Sequence, residues 1–558
     1  MSTLSRTERH RADSTKAGGV VYTPPELARF LAAQTFDALE APESVRILDP
    51  ACGDGELLLA AVAEAERRSI TVQSVVGYDI DGAAIAKAAE RLSGISSVSL
   101  HEADFVALAA DFTGPQGLFE VDDQLEQLQF EVVISNPPYV RTQTLGSDFA
   151  QVLGRRFGLT GRVDLYQAFS AAMIQALVQG GALGLLCSNK FLTNRAGTSM
   201  RKLLIRELDL HELVDLGDTK LFEAAVLPVI VSGSRATNSA SQDRPRFRSV
   251  YEVKPALVTE PVRSSGVLEA LTDSHEGQVE DEGRVFSIRD GLLDLEAGAA
   301  NPWNPMDEDT RAKFEVLRRG DSIPLGNVSK IRVGVKTTAD PVFIRSDWSE
   351  LPEEERPEEE LLRPLLTHRD VDAWNSTPGL QRALYPHVDD KGRAVPVDLS
   401  QFPRAAAYLE IHREQLEGRQ YVIDAGRQWF EMWVPQKPAL WSLPKVVFPD
   451  IAEFPRFAVD RSGAIVNGDC YWMVIEDEDL LEVVAAVGNS TFCTWFYDSA
   501  CGNFLYAGRR RFMTQYMERL PIPKPTPALV EQIRELRSSD RLDELDDLVW
   551  SALGIEKV

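Results

Sequence analysis

Hydrophobic residues in the first half of the chain fall into short runs separated by longer amphipathic stretches. The runs at 45–48, 75–76, 98–100, 132–134, 182–187, 213–216 and 226–231 are largely apolar. They suit strands buried on both faces of a sheet better than strands with one wet face. Helical spacing of apolar residues takes over from about residue 56, and again at 82–92, 165–178 and 195–206. Gly180-Gly181 is expected to stop the third of these helices. Alternation of strands and helices through 45–235 predicts an α/β fold with a doubly wound parallel sheet.

Ahead of the first strand, Thr23 fits a helix N-cap, Pro24 the first helical position, and Glu26 the third residue of a capping box. Beyond 235 the pattern weakens. Residues 236–310 are expected to be a bridge, with a small β insertion near 247–253. From 323 onward apolar and cationic residues mix. A strand with alternating cations is expected at 328–338, a helix at 408–419, and further strands at 429–433, 445–449 and 470–474. Trp429, Trp433, Trp441 and Trp472 are assigned to a core. Residues 528–553 read as an amphipathic helical pair.

Composition adds bounds. The chain has 558 residues, 44% hydrophobic and 26% charged, so several domains with sizeable cores are possible. No apolar stretch of about 18 residues appears, and the start carries no secretory segment, so a cytoplasmic location with no membrane contact is expected. The five cysteines have neither a zinc-type nor a paired spacing, and histidine is scarce. No metal site is expected. The net charge of −26 argues against a uniformly basic surface. Any grip on nucleic acid must come from a local patch. Arg509-Arg510-Arg511 is the best candidate, on the expectation that three adjacent arginines cannot all pair with nearby acids.

The candidate chemistry gathers at strand ends. In open α/β sheets ligands bind beyond the carboxyl edge. The first strand ends in Asp49-Pro50-Ala51-Cys52-Gly53-Asp54-Gly55, a loop open enough for close backbone approach but too acidic for a pyrophosphate. The second ends at Asp79, suited to ribose hydroxyls, with Ile80 after it. The third leads to Asp104-Phe105, suited to an adenine amine and ring. The fourth ends in Asn136-Pro137-Pro138-Tyr139. Two prolines force a stiff turn there. The Asn136 side-chain oxygen and the Pro137 carbonyl can accept both N–H groups of an amine conjugated to a ring, while Tyr139 stacks on that ring.

These motifs together resemble the Rossmann-like, S-adenosylmethionine-dependent amino-methyltransferases. Tyr22-Thr23-Pro24-Pro25, Asp164-Leu165-Tyr166, Ser188-Asn189-Lys190-Phe191-Leu192 and a long C-terminal region resemble the TaqI-like class of DNA adenine-N6 methyltransferases. The resemblance implies a Rossmann-like doubly wound methyltransferase sheet with a C-terminal α+β target-recognition domain. It implies S-adenosyl-L-methionine as cofactor, held by Tyr22, Thr23, Asp49, Ala51, Gly53, Asp79, Ile80, Asp104, Phe105 and Asn136. It implies double-stranded DNA as partner, with the target base flipped out and stacked by Tyr139 and Phe222. Arg141, Lys336 and the three arginines at 509–511 are the expected DNA contacts.

The expected division is a mobile arm at 1–18, the methyltransferase domain at 19–235, a linker or insertion at 236–310, target recognition at 311–525 and C-terminal helices at 526–558. The setting would be restriction–modification or phage defence, with any nuclease on a separate partner. RNA adenine or protein glutamine methylation, cytosine-N4 methylation and a non-catalytic recognition subunit remain as alternatives.

Overall fold

In the computed structural model, the residues described are 22–40, 42–112, 129–139, 147–160, 164–221, 227–237, 244–253, 262–295, 298–501 and 509–558. They divide into two compact units, Met1–Glu308 and Asp309–Val558.

The first unit is built on one eleven-stranded sheet. Its strands are β1 (Ser44–Asp49), β2 (Thr71–Asp79), β3 (Val98–Glu102), β4 (Phe130–Ser135), β5 (Leu177–Ser188), β6 (Leu208–Asp215), β7 (Pro228–Arg235), β8 (Arg246–Glu252), β9 (Arg263–Ser264), β10 (Gly277–Asp281) and β11 (Arg284–Leu292). Their order is β3-β2-β1-β4-β5-β7-β6-β8-β11-β10-β9. Strands β1 to β5 run parallel, and β7 is antiparallel to both neighbours. The carboxyl ends of β1, β2, β3, β4 and β5 therefore share one edge.

The apolar runs are buried on both faces, as their lack of alternation requires. In β4, Val132 and Ile134 enter one core with Leu27, Leu31, Leu58 and Val62, while Val133 enters the other with Phe169, Met173 and Leu204. All three β4 residues are fully buried, each worth about 1.5–3 kcal/mol. Helices α1 (Pro25–Asp37) and α2 (Glu56–Arg67) cover the first face. Helices α3 (Gly82–Arg91), α4 (Phe105–Phe112), α5 (Ser147–Phe157), α6 (Leu165–Gln175) and α7 (Thr198–Glu207) complete the α/β alternation.

Several local expectations change. Helix α6 ends at Gln175, and β5 begins at Leu177 and runs through Gly180-Gly181. The glycines lie in a register shift of β5, between Leu177 opposite Phe130 and Ala182 opposite Val132, where the φ of +76° at Gly180 suits glycine. The capping box at Thr23 does not form: α1 starts at Pro25 with extended Pro24 as N-cap and no side-chain cap. Residues 246–292, expected as a bridge with a β insertion near 247–253, contribute that strand as β8 and three more to the same sheet. Their cations conceal the strand pattern but are neutralised inside it. The buried Arg248 guanidinium donates to Glu212 at 2.5 Å, and Arg246 binds Asp290.

The second unit has a five-stranded sheet in the order Arg332–Val333, Cys470–Val474, Lys445–Pro449, Ala458–Asp460, Trp374–Asn375, and a four-stranded sheet nearby in sequence. The strand expected over 328–338 is only Arg332–Val333, followed by isolated bridges at Val335 and Lys336. Gly334 packs against the Asn467 backbone, and Thr338 has φ +58°, which ends extended pairing. Trp441 and Trp472 are fully buried and stacked at 4.3 Å. Trp429 and Trp433 are not strand residues and remain partly exposed. Trp429 packs on the rim of the core and under Arg413, while the Trp433 ring lies against Arg427 and Tyr421. The terminal helices Pro527–Ser538 and Leu542–Ala552 belong to this unit through Arg534–Asp479, Arg537–Glu482 and the packing of Trp550 on Phe492 and Trp495.

Candidate active site

Asp49 closes β1 with no exposed surface. One carboxylate oxygen accepts from the Ala51 N–H at 3.0 Å and from the Ser135 hydroxyl at 2.7 Å. The other oxygen is buried and has no hydrogen-bond partner among the described residues. Burial pushes this carboxyl up to about 7, with the charge of Asp79 acting the same way and the two hydrogen bonds opposing it. At neutral pH the carboxyl is therefore near its midpoint, and its ionised form is much less favourable than that of an exposed aspartate. A ligand ammonium placed there favours the ionised form.

The loop after Asp49 is shaped for close approach. Gly53 has φ +52°, and a Cβ there would meet the Tyr22 ring at 3.5 Å. The Tyr22 ring thus lies over the loop, half exposed, with the Lys87 ammonium 5.8 Å from its centroid. Asp79, at the end of β2, accepts from the Gly53 N–H and the Asp81 N–H, each at 2.9 Å. Ile80 beside it is 74% exposed, an apolar side chain left open at a polar edge. Asp104 accepts from the Ala107 N–H and so starts α4. Phe105 is turned into the core against Tyr78 and presents no open ring face. Arg91 of α3 binds both Asp54 and Glu56, so the loop is less acidic than its sequence suggests.

The turn after β4 stands one strand away. Pro137 and Pro138 have no N–H to extend the ladder, and β4 stops at Ser135. The Asn136 amide nitrogen donates to the Thr23 hydroxyl at 3.1 Å. The Tyr139 hydroxyl donates to the Asn136 amide oxygen at 2.8 Å. Burial holds the Tyr139 phenol well above its ordinary range, so it remains a donor. The fold therefore brings Tyr22, Thr23, Asp49, Gly53, Asp79 and the Asn136 turn to one edge. Ser135 and Arg91 are additional members that spacing alone does not reveal.

Further along the edge, Asp215 at the end of β6 is buried, which raises its carboxyl above the ordinary range. It accepts from Tyr251 at 2.6 Å, Asn189 at 3.0 Å and the Gly217 N–H at 3.1 Å. Asn189 of the Ser188–Leu192 segment thereby joins β5, β6 and β8. Phe222 and Arg141 lie outside the described residues.

The chain matches the Eco57I restriction-modification methylase family over residues 73–222. The type II methyltransferase M.BanIII of Aneurinibacillus aneurinilyticus is 36% identical to it, over 97% of this chain and 98% of that protein. The chain belongs to the type II methyltransferases of restriction–modification systems. It is thus a DNA methyltransferase that uses S-adenosylmethionine. M.PaeR7I of Pseudomonas aeruginosa is 27% identical over 91% of this chain and 86% of its own length. In fold, the chain is similar to the type IIL restriction-modification enzyme MmeI solved with DNA, with a TM-score of 0.54 at 14% identity over 96% of this chain and 73% of that one.

In the second unit of this methyltransferase, the three-arginine run behaves differently from the sequence expectation. Arg510 binds Asp498 through both guanidinium arms, at 2.5 and 2.6 Å. Arg511 lies 3.3 Å from Asp450. Two of the three arginines do pair with acids: Asp498, 12 residues before Arg510, and Asp450, 61 residues before Arg511, both brought alongside by the fold. Arg509 is exposed, with no partner among the described residues. Lys336 is exposed as well. No helix among the described residues is long and apolar enough to cross a membrane, and none of their His, Cys, Asp and Glu side chains cluster as a metal site.

Proposed function

We propose that this methyltransferase acts on N6 of an adenine rotated out of duplex DNA. The observation that carries the reading is the Asn136 amide, held at the end of β4 beside Thr23 and one strand from buried Asp49. An exocyclic amine has two N–H donors and a delocalised lone pair. An acceptor at Asn136 Oδ1, with the Pro137 carbonyl on the same turn, favours the more tetrahedral and nucleophilic form of that nitrogen. Asparagine here, in place of the serine more usual for cytosine-N4 chemistry, supports adenine.

The residues at the cofactor edge fit S-adenosylmethionine. Asp49 has an unpartnered buried oxygen for an ammonium, Gly53 leaves room beside Tyr22, and Asp79 can accept from hydroxyls. When bound, the cofactor supplies a methyl carbon on a sulfonium leaving group. The chain itself needs to align the amine, shield it from water and accept its N–H bonds. Tyr139 supports ring stacking, and Phe222 is proposed as a second aromatic. Arg141, Lys336 and Arg509 are proposed phosphate contacts. A separate endonuclease cutting the same unmethylated sequence is the proposed partner.

The test is methylation of random-sequence duplex DNA with isotope-labelled cofactor, followed by nucleoside mass spectrometry. Label in N6-methyladenine supports the reading. Label in N4-methylcytosine overturns it. Asn136→Ala is expected to abolish transfer and leave cofactor binding within about twofold.

A further inference from the structure

We propose that Thr23 is a positioning residue for methyl transfer, acting through the Asn136 amide more than through the cofactor. The inference rests on the proposed reading of Asn136 as the acceptor for the target amine.

Sequence logic assigns the Thr23 hydroxyl to the start of α1. A threonine before two prolines, with glutamate three positions on, has the pattern of a capping box. The fold declines that use. Helix α1 starts after Pro24 with no side-chain cap, although a threonine is available one residue earlier. The hydroxyl instead accepts from Asn136 Nδ2 at 3.1 Å, bridging 113 residues of sequence. Thr23 is buried at 8% exposure, so solvent is a poor substitute for this bond. A helix end left without its natural cap, in favour of a distant amide, is the kind of local conflict found at functional sites.

The bond has a specific consequence. A side-chain amide rotates about its terminal torsion with a broad, nearly two-fold preference. Anchoring its nitrogen end fixes where the oxygen end points. In this structure that end meets the Tyr139 hydroxyl at 2.8 Å, which marks an acceptor direction on the side of the proposed stacking ring. Donation from Nδ2 also polarises the amide and strengthens its oxygen as an acceptor. Backbone constraint reinforces both effects. Thr23 precedes Pro24, and Asn136 precedes Pro137, so each backbone is restricted towards extended conformations. The two side chains therefore meet from two stiff segments. Tyr22, the neighbour of Thr23, sits over the Gly53 loop, which leaves cofactor contact to Tyr22 and amide control to Thr23.

The experiment compares Thr23→Val, Thr23→Ser and Asn136→Ala in the full-length protein. The readouts are single-turnover methyl transfer to a duplex containing the recognised site and S-adenosylmethionine binding by calorimetry. Valine keeps the shape and removes the oxygen; serine keeps the oxygen. The proposal expects Thr23→Val to slow transfer about tenfold or more, with cofactor affinity within about twofold, and Thr23→Ser to restore the rate. A Thr23→Val enzyme that transfers at the original rate overturns it. So does one whose loss lies in cofactor affinity. Full activity in Asn136→Ala would instead overturn the reading of Asn136 itself, and so separates the two failures.

Discussion

The Ser135 hydroxyl donates to Asp49 at 2.7 Å, joining the last residues of the paired strands β4 and β1. Ser135 directly precedes Asn136, so one hydrogen bond ties the proposed ammonium acceptor to the turn that presents the target amine. Ser135→Ala removes a donor to a buried carboxylate, worth about 1.5–3 kcal/mol. Cofactor affinity should fall by roughly ten- to a hundredfold. Calorimetric titration checks this; an unchanged affinity would remove Asp49 from the ammonium role.

The buried Asp49 carboxyl makes cofactor binding depend on pH. Burial holds it near 7 in the free protein, against an ordinary value of 3.8. A ligand ammonium favours the ionised form, so binding below about pH 7 must expel a proton. Asp79 and Asp54 nearby carry like charge, Arg91 neutralises Asp54, and burial keeps the Cys52 thiol protonated. Affinity is expected to fall by up to tenfold for each pH unit below 7. Calorimetry in two buffers of different ionisation heat should show close to one proton released at pH 6 and far fewer at pH 8. Equal proton counts at both values would refute the assignment.

Strand ends were legible in the sequence because a buried apolar run must stop where polar chemistry begins. Asp49, Asp79 and Asn136 each interrupt such a run, and each stands at the carboxyl edge of the sheet. Pairings across the chain were not legible. Nothing in local spacing connects Thr23 with Asn136, Ser135 with Asp49, or Arg510 with Asp498. The strand expected near 247–253 is β8, but its place in the large sheet and the strands β9 to β11 were hidden for a related reason: the arginines of this stretch read as surface until Glu212 and Asp290 are brought against them. Trp433 misled in the opposite direction, since hydrophobicity alone placed it in a core, whereas it is partly exposed against Arg427 and Tyr421.

Buried charge in the second unit offers a stability test. Lys445 and Asp460 are each at most 1% exposed, with Nζ 2.5 Å from Asp460 and donating to the Trp441 carbonyl at 2.8 Å. The Ser376 and Ser462 hydroxyls donate to the same Asp460 carboxylate. Lys445→Ala leaves that carboxylate buried without its cation, a loss of about 3–5 kcal/mol. The melting temperature of this unit should drop by about 10 °C. Differential scanning calorimetry gives the answer directly.

The arginines at 509–511 should separate by role when changed singly. Arg510 is clamped to Asp498, and its guanidinium lies 5.8 Å from the exposed Phe454 ring. Arg510→Ala should therefore lower stability by about 2–3 kcal/mol, because it strands a partly buried carboxylate. Arg511 shares its charge with Asp450 and should have an intermediate effect on DNA. Arg509 and Arg511 are both exposed, but Arg509 has no acid partner among the described residues. Arg509→Ala should leave the melting temperature within about 1 °C while weakening DNA binding at every sequence and lowering the slope of log affinity against log salt by about 1. Fluorescence anisotropy across a salt series, read beside thermal melts of the same variants, distinguishes these outcomes. An Arg509→Ala protein with an unchanged salt slope would show that phosphate is gripped elsewhere, and would shift attention to Lys336, another exposed cation in the same unit.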